Sequence, residues 1–286
     1  MNILVTGSNG QLGKEIQTIR EAHANRKNQY FFTDIDELDI TDYKRLEQFV
    51  KDHSISTLIN CAAYTNVDKA EEEQEKAFLI NDQAVDNLVN ISLKHDIILI
   101  HISTDYVFNG ESFRPYKETD PVNPESIYGK SKLAGEQKII EKRAGIIIRT
   151  SWLYSSFGKN FVKTIERLAR EKEELKVVFD QVGSPTYARD LAKSILKIIN
   201  HSPSSAQYGI YHFSNEGVCS WYDLAKEIAD KQQINCEIHP IESKDFPTPA
   251  KRPHYSVLNK TKIKKVFKQT IPHWKESLHQ MLDSTK

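Results

Sequence analysis

Several features that would point to particular classes of protein are scarce in this chain of 286 residues. It has three cysteines, Cys61, Cys219 and Cys236, which are far apart and lack metal-ligand spacing, so we expect reduced thiols. Lysine plus arginine and aspartate plus glutamate both number 39, so bulk charge gives no reason to expect nucleic acid as a partner. No apolar run reaches 18 residues and no signal peptide is recognisable, so we expect a cytoplasmic protein without a membrane span.

Metal ligands and internal repeats are scarce as well. The ten histidines include no His-x-x-x-His pair, and we predict no metal site built by the protein. No repeat or low-complexity linker divides the chain, which is long enough for one large or two intimate domains. A chain of about 300 residues buries roughly 75% of its unfolded surface, so the fold needs no covalent staple.

A glycine-rich turn follows the first apolar run. Asn2–Val5 is long enough for a buried strand, glycines stand at positions 7, 10 and 13, and Lys14–Ile19 has helical apolar spacing. The first gap is one residue wider than in the standard dinucleotide fingerprint. Glycines in such a turn let backbone N–H groups approach a pyrophosphate at a helix N-terminus. The sequence therefore predicts a dinucleotide site here, with a plain strand-to-helix turn as the alternative.

An acidic cluster follows the second predicted strand, Tyr30–Thr33. Asp34 ends this strand, and Asp36, Glu37 and Asp39 come directly after it. An acidic residue about 20 residues beyond the glycine turn commonly binds the adenosine ribose. The cluster favours a free 2′-hydroxyl over a 2′-phosphate, so we expect NADH to be usable and keep NADPH open.

Hydroxyl and carboxyl groups cluster after a third apolar run, Ile97–Ile102. Such a continuous run is typical of a parallel strand buried on both faces. In open α/β sheets, ligands bind outside the carboxyl ends of the strands. Ser103 or Thr104, followed by Asp105, is therefore expected to contact a substrate oxygen.

A phenol and an ammonium stand four residues apart in Tyr128-Gly-Lys-Ser-Lys132. The segment 126–143 is predicted to be helical, and residues i and i+4 share a helix face. A free tyrosine has a pKa of about 10, which a neighbouring cation lowers. Tyr128 and Lys132 are therefore suited to proton transfer to or from a hydroxyl or ketone.

The elements of the first half alternate between strand and helix. This alternation predicts an α/β fold with a Rossmann-like, doubly wound parallel sheet over residues 1–150. The predicted strands are 2–6, 29–33, 57–60, 97–102 and 145–150, and the predicted helices are 11–24, 41–53, 71–95 and 127–143.

The second half is less regular. We predict that residues 151–286 form mainly a smaller, partly interleaved substrate-binding lobe, with some segments returning to the Rossmann domain. Its predicted helices are 161–172, 188–200, 220–232 and 273–282, and its predicted strands are 175–179, 209–214 and 235–241.

Taken together, these motifs resemble the extended short-chain dehydrogenase/reductase superfamily, and within it the family of dTDP-4-dehydrorhamnose reductases. The resemblance covers nearly the whole chain. The segments that match are Gly10–Gly13, Asn60–Ala63, Tyr64–Glu71, Ser103–Phe108, Tyr128–Glu136, Arg149–Trp152, Asn160-Phe161, Asp180–Thr186 and Pro249–Pro253.

The resemblance implies reduction of the C4 ketone of a nucleotide-linked 6-deoxy-4-keto sugar by NADPH or NADH, the last step of dTDP-L-rhamnose synthesis for a cell-surface glycan. Tyr128 then donates the proton, Lys132 lowers its pKa and binds the nicotinamide ribose, and Thr104 steadies the carbonyl oxygen. Matching substrate positions are Thr104, Asp105, Trp152, Gln181, Thr186 and Arg252. Matching cofactor positions are Gly7, Gly10, Gln11, Leu12, Asp34, Asp39, Ile40, Ala63, Tyr64, Thr65, Ser103, Tyr128 and Lys132.

The resemblance also implies partners. The substrate is a nucleotide sugar, a homodimer is an expectation, and some family members carry Mg²⁺ at a subunit contact. Bulky Trp152 is also compatible with a core position, and Arg252 with a surface position in a proline-rich loop.

Three other functions share this fold and remain open. A 4,6-dehydratase uses the same Tyr/Lys pair but carries Thr-Asp-Glu at the strand end, where this chain has Thr104-Asp105-Tyr106. A 4-epimerase keeps its nicotinamide cofactor bound and is redox-neutral. A regulatory subunit of methionine adenosyltransferase resembles the same reductases without established turnover.

Overall fold

Parallel strands form the central sheet of this protein, for which a computed structural model describes residues 1–22 and 28–284. The sheet has six strands in the order β2–β1–β3–β4–β5–β10, and each neighbouring pair is parallel. Along the described chain, the strands are β1 (Asn2–Thr6), β2 (Gln29–Thr33), β3 (Thr57–Asn60), β4 (Ile98–Thr104), β5 (Gly145–Thr150), β6 (Leu153–Tyr154), β7 (Glu174–Val178), β8 (Val182–Gly183), β9 (Thr186–Tyr187), β10 (Gly209–His212), β11 (Cys219–Ser220) and β12 (Glu237–Ile241).

Helices cover both faces of this sheet and build the rest of the described fold. They are α1 (Gln11–Ala22), α2 (Tyr43–Asp52), α3 (Val67–Ala70), α4 (Gln74–Phe78), α5 (Ala84–Lys94), α6 (Ile127–Lys142), α7 (Phe161–Glu171), α8 (Ala188–Asn200), α9 (Trp221–Lys231), α10 (Thr261–Val266) and α11 (Trp274–Ser284).

The strands bury alternate residues on opposite faces, as the two-residue period of a strand requires. On β1, Ile3 and Val5 pack in one core with residues of α1 and α8, such as Ile16 and Ile195. Leu4 lies in the other core, which includes residues of α2, α5 and α6. Apolar burial on both faces explains why these strands read as continuous hydrophobic runs. The predicted doubly wound, Rossmann-like sheet is confirmed.

The chain changes direction across the sheet between β1 and β3. The connection through α1 adds β2 on one side of β1, whereas β3, β4 and β5 follow on the other side. Ligands of open α/β sheets bind at such a switch point, outside the carboxyl ends of the strands. The glycine turn and the polar end of β4 lie at this same edge.

A third core lies outside the sheet and is built from the second half of the chain. It packs α7, α9 and α11 around small sheets, in which β7 pairs with β12 and β8 pairs with β11. Two segments of this half join the large sheet instead: β10 pairs with β5, and α8 packs on α1. The second half is therefore interleaved with the first.

One predicted helix differs from the structure. The stretch 71–95, predicted as one helix, is wrong in its first part: α3 ends at Ala70, α4 starts at Gln74, and a π-helical turn over Leu79–Gln83 precedes α5. Asn81 in this turn is buried and hydrogen-bonds the backbone N–H and C=O of Tyr64 at 2.9 and 3.0 Å. Residues 23 and 24 of the predicted helix 11–24 lie outside the described residues. Helix α10 was not predicted.

Helix α6 is fixed at its N-terminus by side chains. The Ser126 hydroxyl accepts a hydrogen bond from the N–H of Gly129 at 3.1 Å, as an N-cap does. The Glu71 carboxylate accepts one from the N–H of Ile127 at 2.9 Å. A carboxylate at this position also complements the helix dipole. The acidic run at Glu71 thus supports α6, the helix that carries Tyr128 and Lys132.

Over residues 1–22 and 28–284, no helix is both long and apolar enough to cross a bilayer.

Candidate active site

A cleft of about 1020 Å³ lies at the carboxyl edge of the sheet and contains most of the predicted site residues. It collects side chains from the glycine turn, the ends of β2, β3 and β4, the start of α6 and the lobe. Predicted residues that line it are Gly7, Gly10, Gln11, Leu12, Asp34, Asp39, Ile40, Ala63, Thr65, Ser103, Thr104, Asp105, Tyr128, Lys132, Trp152 and Arg252.

The glycine turn presents backbone to the cleft. Gly7 has φ +65°, a left-handed conformation that favours glycine. The N–H of Gly10 donates to the carbonyl of Gly7 at 3.1 Å, which closes the turn directly before α1. Gly10 is exposed, and a Cβ built on it would meet only the Gly7 carbonyl, at 3.3 Å. The open approach and the N–H groups at the start of α1 fit a pyrophosphate.

Asp34 links the second strand to this turn. Its Oδ2 accepts from the N–H of Asn9 at 2.8 Å, and its Oδ1 accepts from the N–H of Ile35 at 2.8 Å. Each carboxylate oxygen has a further lone pair, so Asp34 retains acceptors for a ribose hydroxyl while it holds the turn. The residues of this region therefore fit a dinucleotide.

The end of β4 and the start of α6 bring the predicted catalytic hydroxyls together. The Thr104 hydroxyl donates to Oδ1 of Asp105 at 2.9 Å and accepts from the N–H of Tyr106 at 3.2 Å. The rings of Tyr106 and Tyr128 meet edge to face, with centroids 5.5 Å apart. Tyr128 thus lies in the cleft among the residues that end β4.

The predicted lowering of the Tyr128 pKa is wrong for this structure. Burial raises the pKa of Tyr128 above its ordinary value, and the charge of Asp105 and the Tyr106 phenol add to the increase. A hydrogen bond with Thr104 acts in the opposite direction. Burial prevails because a phenolate loses water as a partner. The phenol therefore keeps its proton at neutral pH, the state that a proton donor requires.

Lys132 is almost fully buried beneath the cleft. Its Nζ donates to the carbonyl of Ile102 at 2.6 Å and lies 3.4 Å from Nε2 of His101. Burial lowers the pKa of Lys132 to about 8, while Glu136 and Cys61 act to raise it. An amine with such a pKa changes its charge close to neutral pH.

Asp105 offers an acceptor at the cleft. The residue is 3% exposed, and its Oδ2 has no hydrogen-bond partner among the described residues. Burial raises the pKa of Asp105 to about 7, against hydrogen bonds that favour the carboxylate, that of Thr104 first. A buried polar atom without a partner is costly, so this oxygen is suited to a hydroxyl of a bound molecule.

Trp152 occupies a constrained position at the border with the lobe. Its backbone has φ +49°, which is uncommon for a residue other than glycine. Its ring stacks on Trp221 with centroids 3.5 Å apart and an interplanar angle of 9°. Both rings line the cleft. Strained backbone of this kind is concentrated at functional sites.

Three predicted site residues do not line the cleft. Thr186 is fully buried, and its N–H donates to the carbonyl of Trp152 at 3.1 Å. Gln181 accepts from Nε1 of Trp221 at 3.2 Å. Gln181 and Thr186 therefore do not line the cleft but contact Trp221 and Trp152, which do. Tyr64 turns away, and its hydroxyl donates to Oε2 of Glu73 at 2.8 Å.

Arg252 joins the proline-rich loop to the Rossmann half. It donates to Oδ2 of Asp68 at 2.7 Å and to the hydroxyl of Tyr106 at 3.2 Å. The guanidinium lines the cleft with 29% of its side chain exposed, so it remains accessible to an anion.

Sequence reasoning did not assign several lining residues to the site, among them Trp221 and Asn160. Asn160 donates from Nδ2 to Oε1 of Gln11 at 2.9 Å and to the carbonyl of Ser155 at 2.7 Å, which brings a lobe loop onto the glycine turn. The pair Asn160-Phe161 belonged to the resemblance, and that was a usable signal. Trp221 begins α9 after the N-cap Ser220, and no sequence pattern around it indicates a place in the site.

Within residues 1–22 and 28–284, no group of three or more His, Cys, Asp or Glu side chains is arranged to hold a metal ion.

Residues 1–286 match the family model described as RmlD substrate binding domain. The chain belongs to this family. The predicted resemblance is thereby confirmed at the level of the family.

Curated relatives match over almost their whole length. The spore coat polysaccharide biosynthesis protein SpsK of Bacillus subtilis (strain 168) is 39% identical, covering 98% of this chain and 96% of the relative. The dTDP-4-dehydrorhamnose reductase of Aggregatibacter actinomycetemcomitans is 38% identical, covering 96% of each.

Solved structures agree with this similarity. A dTDP-4-dehydrorhamnose reductase of Clostridium acetobutylicum ATCC 824 has a TM-score of 0.94 and 42% identity, covering 100% of this chain and 99% of that one. The enzyme of Bacillus anthracis str. Ames, in complex with NADP, has a TM-score of 0.92 and 39% identity, covering 99% of both chains. A UDP-glucose 4-epimerase of Thermus thermophilus shares the fold at a TM-score of 0.83 but only 18% identity, with 99% and 98% covered.

Substitution of Gly10 tests the glycine turn. Gly10→Val places a side chain where a pyrophosphate would approach, so we expect dinucleotide affinity to fall by about tenfold or more, measured by calorimetric titration. Its melting temperature should stay close to that of the unchanged protein because Gly10 is exposed.

Gly7→Val is the contrasting variant, since its Cβ would meet the backbone of Ala62 at 2.5 Å; it should lower the melting temperature. Undiminished dinucleotide binding by folded Gly10→Val would contradict the assignment of the turn.

Proposed function

We propose that this protein is an NAD(P)H-dependent dTDP-4-dehydrorhamnose reductase, which converts dTDP-4-dehydro-L-rhamnose to dTDP-L-rhamnose. The observation that carries the proposal is the protonated, half-buried Tyr128 beside Thr104 in a cleft whose other end fits a dinucleotide. Full-length similarity to reductases of this name supports the same activity.

In a ketone reduction, each of these residues has a separate role. When bound, the reduced nicotinamide supplies the hydride to the ketone carbon. Tyr128 donates a proton to the oxygen that gains charge, and the Thr104 hydroxyl orients that oxygen once its proton turns from Asp105 towards it. Lys132, one turn after Tyr128 on α6 and held by the carbonyl of Ile102, binds the nicotinamide ribose and, when protonated, adds positive charge on that side of the cleft.

We propose that the lobe side of the cleft binds the nucleotide sugar. Oδ2 of Asp105 accepts from a sugar hydroxyl, and the ring of Trp152 packs against the sugar or base. Arg252 has the planar, bidentate geometry that suits a diphosphate. Gln181 and Thr186 act through the two tryptophans that they contact.

Tyr106 separates this site from that of a dehydratase. Elimination of water requires a carboxylate base at this position of the strand end, and Tyr106 has a phenol instead. Burial raises the pKa of Tyr106 to about 12, against the lowering effect of Arg252, so the phenol stays protonated at neutral pH. It cannot serve as the missing base.

Further features of the proposal concern cofactor choice and assembly. We propose that NADPH and NADH are both used, since Asp34 lies at the ribose end while the solved relative from Bacillus anthracis is in complex with NADP. We keep a cytoplasmic location, a homodimer and Mg²⁺ at a subunit contact as proposals from the family resemblance.

An assay with two substrates tests the function. With dTDP-4-dehydro-L-rhamnose, generated in a coupled reaction, we expect one reduced nicotinamide to be oxidised for each dTDP-L-rhamnose formed. With dTDP-glucose, no 4-keto-6-deoxy product should appear. Dehydrated sugar, or a new sugar without net oxidation of the cofactor, would favour a dehydratase or an epimerase. Dinucleotide binding without turnover would favour a regulatory protein.

Replacement of Tyr128 by phenylalanine tests the proton donor. Tyr128→Phe removes one hydroxyl, so dinucleotide affinity should remain nearly unchanged while turnover falls by roughly 10²–10⁴, the range for a lost general acid. Tyr255→Phe, a phenol outside the cleft lining, is the matched control and should leave turnover unchanged. Turnover of Tyr128→Phe within twofold of the unchanged enzyme would exclude the assigned role.

A further inference from the structure

A chain of buried polar side chains runs beneath the cleft to Lys132. The Thr6 hydroxyl donates to Oδ1 of Asn60 at 2.7 Å, and Nδ2 of Asn60 lies 2.9 Å from Nδ1 of His101. Nε2 of His101 lies 3.4 Å from Nζ of Lys132. The chain crosses β1, β3 and β4 before it reaches α6, and each of its side chains is at most 2% exposed.

The amide of Asn60 has one orientation that satisfies its neighbours. The N–H of Ala62 lies 3.2 Å from Oδ1 of Asn60, and a backbone N–H can only donate. Oδ1 must therefore be the oxygen, and the NH₂ group faces His101. It donates to Nδ1 of His101, which consequently carries no proton.

The imidazole of His101 is then a defined tautomer. Burial, together with the charge of Lys132, holds the pKa of His101 well below its usual value, so the ring is neutral. A neutral ring with a bare Nδ1 carries its proton on Nε2. This Nε2–H points at Nζ of Lys132.

A neutral Lys132 amine can accept a hydrogen bond from this Nε2–H, whereas an ammonium has no lone pair and is repelled. The carbonyl of Ile102, 2.6 Å from Nζ, and the charge of Glu136 favour the ammonium. Glu136 is engaged by Arg149 through bonds of 2.6 and 2.9 Å. The thiol of Cys61 is neutral, since burial raises its pKa to about 12. Tyr128 keeps its phenolic proton.

We propose that Asn60 fixes the tautomer of His101 and that the Nε2–H of His101 favours the neutral amine of Lys132. His101 is thus a positioning residue that sets the charge of Lys132 without touching a bound molecule.

For turnover, the consequence rests on the reductase proposed above. An ammonium beside Tyr128 stabilises the phenolate that remains after proton donation. Because the pKa of Lys132 is about 8, this charge is present below that pH and is lost as the pH rises through it. Turnover should therefore fall on the basic side, at a pH that His101 determines.

The tautomer can be measured without any substrate. Long-range ¹H–¹⁵N NMR spectra of the labelled protein at pH 7 distinguish a protonated from a bare ring nitrogen, and the signals of His101 are those absent from the variant His101→Phe. We expect Nε2 to be protonated and Nδ1 to be bare. A proton on Nδ1, or on both nitrogens, would overturn the proposal whatever reaction the protein catalyses.

Two variants test the effect on Lys132, whose ¹³Cε signal reports its titration. His101→Phe keeps a buried ring and removes the N–H that opposes the ammonium, so the pKa of Lys132 should rise. If Nε2 of His101 instead accepted a hydrogen bond from the ammonium, the same variant should lower the pKa of Lys132. Asn60→Asp keeps acceptors for Thr6 and Ala62, but its carboxylate requires a proton on Nδ1 of His101. Nε2 of His101 is then free to accept a hydrogen bond from Lys132. The pKa of Lys132 should then rise by roughly one to three units.

Thr57→Val is the matched control. Thr57 is buried on the same strand as Asn60, and its hydroxyl has no hydrogen-bond partner within the described part of the chain. Its replacement should change neither the His101 tautomer nor the titration of Lys132. A lower or unchanged pKa of Lys132 in His101→Phe, with the control unaltered, contradicts the proposal. If neither variant folds, the tautomer of His101 in the unchanged protein is the observation that tests the proposal.

Discussion

The close approach of α6 to the end of β4 is the constraint on which the site depends. A Cβ on Gly129 would overlap the carbonyl oxygen of Tyr106, and one on Gly135 would overlap that of Asn81. Only residues without a side chain permit the helix to lie at this distance. The same approach brings Tyr128 beside Thr104 and lets Lys132 reach the carbonyl of Ile102. The Tyr128 phenol, the Thr104 hydroxyl and the Lys132 amine are thus positioned by backbone packing.

The parallel sheet explains why residues far apart in sequence meet in one cleft. All its strands end at the same edge, so the turn after β1, Asp34 after β2 and Thr104 at the end of β4 become neighbours. The lobe then closes the cleft from the other side through Trp152 and Asn160. Its loop contacts Gln11 directly, and this contact joins the lobe to the glycine turn.

Local patterns were sufficient for the strands of the Rossmann half but not for all of its helices. Apolar runs located the strands of the large sheet that precede residue 151, and the spacing of Tyr128 and Lys132 placed both on one helix. The direction of the Tyr128 pKa was not predictable from that spacing, because burial depends on residues such as Asp105 and Tyr106 that only the fold brings close. The π-helical turn before α5 contains Asn81, whose partners Tyr64 and Ser131 lie on other segments. Trp221 was missed for the same reason, since its contact with Trp152 exists only once the lobe has packed.

The central claim is that this cleft transfers a hydride to the ketone carbon of a nucleotide sugar. Transfer of deuterium from NADPH labelled at both hydrogens of nicotinamide C4 tests that claim most directly. After reaction with dTDP-4-dehydro-L-rhamnose, NMR and mass spectrometry of the product should show one deuterium per molecule, located at C4 of the sugar. A product without deuterium, or with hydrogen from solvent at C4, would contradict the account.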